Sequence, residues 1–127
     1  MPYRRLRVLV VDDHALLRRG FTTLLAGEAD LEVVGEAANG QQAIELTRQM
    51  APDVILMDVS MPVMNGVEAT RTIHAEFAGI RVIGLSMFEE PEQPEAMRQA
   101  GAVAYLSQND SVEALLAAIR GGRAPVA

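Results

Sequence analysis

The sequence predicts an α/β fold in which a five-stranded parallel sheet is doubly wound, with five helices packed on its two faces. Three observations carry that expectation. Short apolar runs of strand length alternate with stretches whose apolar residues recur at helical spacing, five times over in 127 residues. The third run, Val54 to Met57, is apolar at every position, as expected of a strand buried on both faces. Three of the runs also end abruptly on a polar group, at Asp12-Asp13, at Asp58 and at Ser86.

Taken in order, Leu6 to Val11 is the first strand. Leu17, Phe21, Leu24 and Leu25 then share one helix face, and Gly27 stops that helix. Leu31 to Ala37 is the second strand. Asn39-Gly40 opens a helix with Ala43, Thr47 and Met50 inward, and Pro52 ends it. After the central strand and Asp58, Pro62, Asn65 and Gly66 break regular structure, and Gly66 opens a third helix. Its stripe is Val67, Thr70, Ile73 and Phe77, stopped at Gly79.

The fourth strand runs from Ile80 to Leu85 and ends on Ser86. Pro91 and Pro94 shorten the next helix to Glu95 to Ala100, with Pro94 suited to its first turn. Ala102 to Leu106 is the fifth strand. In the last helix Asp110 and Glu113 have capping-box spacing, and Val112, Leu115, Leu116 and Ile119 form the stripe. The domain is expected to span residues 4–121, with 122–127 a tail or the start of a linker.

Seventeen acidic against eleven basic residues gives a net charge of −6, which argues against direct nucleic-acid binding by this chain. Every basic residue is an arginine, and there is no cysteine for a disulfide or thiolate metal site. No apolar run approaches the roughly 20 residues of a membrane span, so no membrane partner and a cytoplasmic location are expected.

Right-handed crossovers and the flavodoxin-like strand order 2-1-3-4-5 would place strands 1 and 3 side by side. Asp12, Asp13 and Asp58 then gather at the carboxyl edge of the sheet, with Ser86 beside them. Such a cluster is tolerated where a cation binds or a proton is shared, and all-oxygen donors favour a hard ion such as Mg²⁺. The glycine-rich phosphate loops of nucleotide-binding folds are missing after the first strand. Two readings of Asp58 stand: a carboxylate nucleophile with metal assistance, or a simple turn cap. His14 is expected to face solvent beside the two carboxylates.

Over residues 6–120 the sequence resembles the receiver domain of bacterial two-component response regulators. Val10-Val-Asp-Asp-His14, Met57-Asp-Val-Ser-Met-Pro62 and Leu85-Ser-Met87 look most like its NarL/FixJ-type subgroup. The resemblance implies that Asp58 accepts a phosphoryl group from a sensor histidine kinase. It implies Mg²⁺, with Mn²⁺ a possible substitute, on Asp13, Asp58 and the Ser60 backbone carbonyl, with Asp12 helping through water. Ser86 would follow the phosphoryl group, and Tyr105 would change rotamer in response. Phe88 would flank the acyl phosphate and restrict the water that hydrolyses it.

The resemblance also implies an output, in this subgroup a DNA-binding transcriptional regulator domain, absent from this chain. Signal would pass to it, or to a self-dimer, through the helix 4/strand 5/helix 5 face or the helix 1/helix 5 face. The sequence departs from the family pattern at Gln108, where receivers carry a lysine that reaches the phosphoryl oxygens. An amide donates a hydrogen bond without charge. A phosphorylation-independent interaction module is therefore a second reading. A Mg²⁺-dependent aspartyl phosphohydrolase is a third, although Ser60 stands where such enzymes place a second acid.

Overall fold

The computed structural model describes residues 4–59, 61, 64–86, 93–107 and 109–121. Ten elements alternate along the chain: β1 (Leu6–Val11), α1 (Ala15–Ala26), β2 (Leu31–Ala37), α2 (Gly40–Met50) and β3 (Val54–Asp58), then α3 (Gly66–Glu76), β4 (Arg81–Ser86), α4 (Gln93–Ala100), β5 (Ala104–Ser107) and α5 (Val112–Arg120). All strands are parallel, in the order β2-β1-β3-β4-β5. The chain therefore starts near the middle of the sheet, winds outward one way, then crosses over and winds the other.

That reversal puts helices on both faces and makes two cores. Leu9, Val11, Ile55, Met57 and Val82 face Ala43 and Ile44 of α2, Ala69 and Ile73 of α3, and Met97 of α4. Val8, Val10, Val54, Leu56 and Ile83 face the other way, onto Leu25 of α1 and Leu115 and Ile119 of α5. Neighbouring strand residues point to opposite faces, so a strand covered on both sides has no polar face to alternate with. All five residues of β3 are accordingly buried, and this central strand carries the uninterrupted apolar run.

Polar side chains close the ends of the elements. Asn39 and Asn65 accept the backbone N–H of Gln42 and Glu68, each at 2.9 Å, and so cap α2 and α3. Arg7 donates to the terminal carbonyls of Met50 and Ala51, and Arg81 to those of Ala118 and Ile119. Both arginines meet the negative end of a helix. Arg120 grips Asp30 at 2.8 and 2.9 Å and Glu28 at 2.8 Å, which ties α5 to the turn before β2.

The structure shifts four local expectations. Ser111, rather than Asp110, caps α5, accepting the Ala114 N–H at 3.0 Å. Asp110 instead accepts the Ser107 N–H at 2.7 Å and closes the turn after β5. The helix α4 starts at Gln93, two residues before Glu95, with Pro94 in its first turn as the fixed φ of proline allows. The strand β5 starts at Ala104 rather than Ala102, because Gly101 at φ 118° and the Ala102 N–H to Met97 hydrogen bond prolong the turn after α4. Val112, expected in the inward stripe of α5, is 47% exposed. It lines a groove of about 340 Å³ with Leu17, Phe21 and Leu24 of α1. No helix among the described residues is long and apolar enough to cross a membrane.

Two glycines let helices close in on the end of the central strand. A Cβ on Gly66 would lie 2.2 Å from the carbonyl oxygen of Asp58, and Gly66 N–H donates to Val59 at 2.9 Å. A Cβ on Gly40 would lie 2.6 Å from the Met64 carbonyl oxygen. The first turn of α3 thus presses directly on the backbone of Asp58 and Val59, and that of α2 on Met64, just before α3. Gly66→Ala should destabilise the fold by about 1–3 kcal/mol, since the obstructing atoms are backbone and cannot rotate away. Urea unfolding of the two proteins measures it, and equal midpoints would show that the loop yields freely.

The opposite edge gives a pH-dependent prediction. Asp53 accepts Arg4 Nη2 at 2.7 Å and the Arg7 N–H at 2.9 Å. Its partial burial opposes ionisation, but the Arg4 and Arg7 hydrogen bonds and charges outweigh it and hold the carboxyl below its ordinary range. A depressed folded-state pKa gives stability that is present above the unfolded value and is lost as pH falls through the folded one. Asp53→Asn should therefore be less stable than the parent at neutral pH, with the gap narrowing below about pH 4. Denaturant melts across pH 7 to 2.5 test this, and a gap that widened in acid would reverse the assignment.

Candidate functional site

The strand β1 delivers Asp12 and Asp13 at its carboxyl end, and the adjacent β3 delivers Asp58. Register fixes their proximity: Val11 pairs with Met57, so the next residue on each strand is an aspartate. Asp12 and Asp58 are each only 2% exposed, and Asp13 is half-buried. One donor atom from each of Asp12, Asp13, His14 and Asp58 lies within 4.8 Å of all the others. The three predicted carboxylates are therefore brought together in one place.

Each residue is held differently. Asp12 N–H donates to Ala37 of β2 at 3.0 Å, and its carboxylate accepts the His14 N–H at 2.8 Å. Its carbonyl accepts Arg18 Nη1 at 2.7 Å. The Oδ1 atom of Asp13 is buried and stands 3.2 Å from His14 Nδ1, an ionic contact without hydrogen-bond geometry. The backbone around Asp58 is fixed by Gly66 and by the Val59 N–H donated to Leu85 at 3.1 Å.

His14 does more than face solvent. Its side chain is 56% exposed, yet Nδ1 stands 3.1 Å from Asp12 Oδ1 and 3.2 Å from Asp13 Oδ1. The hydrogen bond to Asp12, then the charges of Asp13 and Asp12, raise the imidazolium above its ordinary range. Its protonated form is thus favoured beside the acidic group. Sequence reasoning did not assign this contact, although a histidine directly after two aspartates at a strand end was its visible signal.

Ser86 ends β4, one residue beyond Leu85, which pairs with Asp58. It stands on the strand next to the phosphoacceptor candidate, as the strand order requires. Tyr105 lies one strand further out, opposite Gly84. A Cβ on Gly84 would fall 2.8 Å from Tyr105 Cδ1 and 3.0 Å from Met97 Cε, so the ring fills room left by the missing side chain. The Tyr105 hydroxyl is buried with no hydrogen-bond partner among the described residues. Ser60, Phe88 and Gln108 lie outside the described residues.

The donor set suits a hard divalent cation. It offers three carboxylates close together at a sheet edge, and like charges so placed are strongly unfavourable unless a cation or proton offsets them. His14, when protonated, adds to that offset. The imidazole is a weaker partner for Mg²⁺ than oxygen, and the three aspartates suffice for an ion that keeps several waters.

Comparison with known proteins agrees with this architecture. The family model described as the response regulator receiver domain matches residues 8–120. The response regulator GacA of Pseudomonas aeruginosa is 43% identical over 115 residues, covering 91% of this chain and 54% of that protein. The response regulator UvrY of Escherichia coli is 42% identical, over 91% of this chain and 53% of that protein. The chain therefore spans about half the length of these relatives. Among solved structures, the receiver domain of the putative response regulator NarL from Mycobacterium tuberculosis superposes with a TM-score of 0.84 at 34% identity. That alignment covers 93% of this chain and 98% of the other. The strand order, the acidic edge and these likenesses together place the chain in the response regulator receiver domain family.

Proposed function

We propose that this receiver domain is a phosphorylation switch in which Asp58 is the phosphoacceptor. The observation that carries the reading is the convergence of Asp12, Asp13 and Asp58 donor atoms within 4.8 Å at the carboxyl edge of the sheet. The donor is a sensor histidine kinase carrying a phosphohistidine. A carboxylate oxygen of Asp58 attacks phosphorus, the P–N bond breaks as the new P–O bond forms, and the imidazole leaves with a proton. An acyl phosphate on Asp58 results, and attack by water at phosphorus returns the carboxylate and releases inorganic phosphate.

Asp13, Asp58 and the Ser60 carbonyl would hold Mg²⁺, with Asp12 helping through water. When bound, the ion neutralises charge on the phosphoryl oxygens during transfer. Ser86 donates a hydrogen bond to the phosphoryl group, and Tyr105 follows by changing rotamer. Phe88 would restrict the approach of water and lengthen the life of the adduct. The domain occupies residues 4–121, with 122–127 a tail or the start of a linker to an output. The relatives GacA and UvrY are response regulators of which this chain spans about half, a length that leaves room for an output domain, and the output proposed here is a DNA-binding transcriptional regulator domain.

Three measurements test this. With acetyl phosphate and Mg²⁺, intact mass should show a phosphoryl adduct on the wild type and none on Asp58→Asn. Modification of that variant at the wild-type level would displace Asp58 from the role. Turnover of the donor without a detectable adduct would favour the hydrolase, and no response at all would favour an interaction module.

Asp13→Ala should weaken Mg²⁺ binding, measured by calorimetry, by tenfold or more, since it removes a direct charged ligand. Unchanged affinity would remove the metal from this place.

At residue 108 a lysine would add a charge-assisted hydrogen bond to the phosphoryl group, worth roughly 1.5–3 kcal/mol. With Gln108 there, coupling between phosphorylation and the active conformation should be weaker. A deficit of about 1.4 kcal/mol lowers the active-to-inactive ratio about tenfold. Gln108→Lys should accordingly enlarge the beryllofluoride-induced NMR shifts at Ser86 and Tyr105. An unchanged response would show that the amide is sufficient.

A further inference from the structure

We propose that Arg18 is a positioning residue for the metal site, fixing the Asp12–Asp13 peptide so that Asp13 is presented to the cation. The proposal rests on reading Asp12, Asp13 and Asp58 as a divalent-cation site.

Arg18 lies near the amino end of α1, where the helix dipole disfavours a cation. Two contacts offset that cost. Nε donates to Glu36 Oε1 at 2.9 Å, and Nη1 donates to the Asp12 carbonyl at 2.7 Å. The side chain is only 18% exposed. Glu36 largely cancels its charge, so what Arg18 gives the acidic cluster is direction rather than potential. A planar guanidinium holds both acceptors at once, which a single ammonium does not reproduce.

The geometry explains why direction matters. A peptide unit is planar and trans, so fixing the Asp12 carbonyl fixes the plane of the Asp12–Asp13 peptide. The course of the chain into Asp13 follows from that plane. The other restraints on Asp12 are its own N–H to Ala37 and its carboxylate, which accepts the His14 N–H and meets His14 Nδ1. The His14 N–H bond closes a ring through the Asp12–Asp13 peptide, and Arg18 is the group that holds the carbonyl oxygen of that peptide directly. Among the described residues Asp13 Oδ1 has only the ionic contact with His14, so its place depends on the backbone that carries it. Both ends of the Arg18 fork land on neighbouring strands, since Glu36 precedes Ala37, the residue that receives the Asp12 N–H.

Groups that orient metal ligands typically affect affinity by about 10–100-fold. The sign separates the two roles Arg18 could have. Removing a positive charge beside a cation site strengthens metal binding through electrostatics, whereas losing the clamp weakens it. The test measures Mg²⁺ affinity by calorimetry for the full chain, Arg18→Gln and Arg18→Lys. Urea unfolding in EDTA establishes that each variant is folded.

Arg18→Gln is expected to bind Mg²⁺ about tenfold more weakly. Arg18→Lys keeps the charge and should also bind more weakly, which isolates geometry and serves alone if Arg18→Gln does not fold. Unchanged or tighter binding in a folded variant overturns the proposal. Asp13→Ala, measured alongside, distinguishes the failures. If it binds Mg²⁺ like the wild type, the site itself is wrong. If it loses binding while both Arg18 variants keep it, only the role of Arg18 falls.

Discussion

The structure depends on a conflict that β3 creates and then resolves at its end. This strand lies between β1 and β4 with every residue buried, and its last residue is a carboxylate 2% exposed. An ionised carboxylate withdrawn from water is costly unless it is hydrogen-bonded or faces a cation. Two more carboxylates arrive beside it from β1, which raises the cost through repulsion. The rest of the carboxyl edge can be understood as holding these three groups together despite that repulsion. His14 leans over Asp12 and Asp13, Arg18 clamps the Asp12 carbonyl, and Gly66 presses against the Asp58 carbonyl.

The two ends of the sheet use charge in opposite ways. At the amino end, arginines neutralise what the fold leaves over: Arg4 meets Asp53, Arg7 caps α2, Arg81 caps α5, and Arg120 joins Asp30 and Glu28. At the carboxyl end the carboxylates outnumber their cationic neighbours. A folded domain accepts such an excess at a functional edge because the stability lost there is supplied by two apolar cores elsewhere. Tyr105 belongs to the same edge. Its ring occupies the space opposite Gly84, where any larger residue would meet both it and Met97.

Much of this was legible in the sequence because the signals were local or strictly periodic. The uninterrupted run Val54 to Met57 announced a doubly covered strand, and Asn39 and Asn65 announced the starts of α2 and α3. The motifs around Asp12, Asp58 and Ser86 pointed to the family by themselves. Other readings failed by a residue or two where neighbouring groups compete for one partner. Asp110 had the spacing of a helix cap, but the turn after β5 took its side chain and left Ser111 to cap α5. Val112 had the period of a buried residue but sits where α1 and α5 stand apart over a groove.

What the sequence determined by itself was the alternation of elements, the parallel sheet and the identity of the carboxylates at its edge. Hydrophobic period and strand-end chemistry are properties of a few consecutive residues, and they survive without knowledge of neighbours. Only the tertiary structure decided which groups touch those carboxylates. The register of β1 against β3 set Asp12 and Asp58 together, and the close approach of α3 made glycine obligatory at position 66. Arg18 reaches the Asp12 carbonyl only because α1 turns back over β1 while β2 presents Glu36 alongside. The pairing of β1 with β3 and the reach of Arg18 to Glu36 join different elements, and no local pattern specifies them, because they exist only once the sheet has closed.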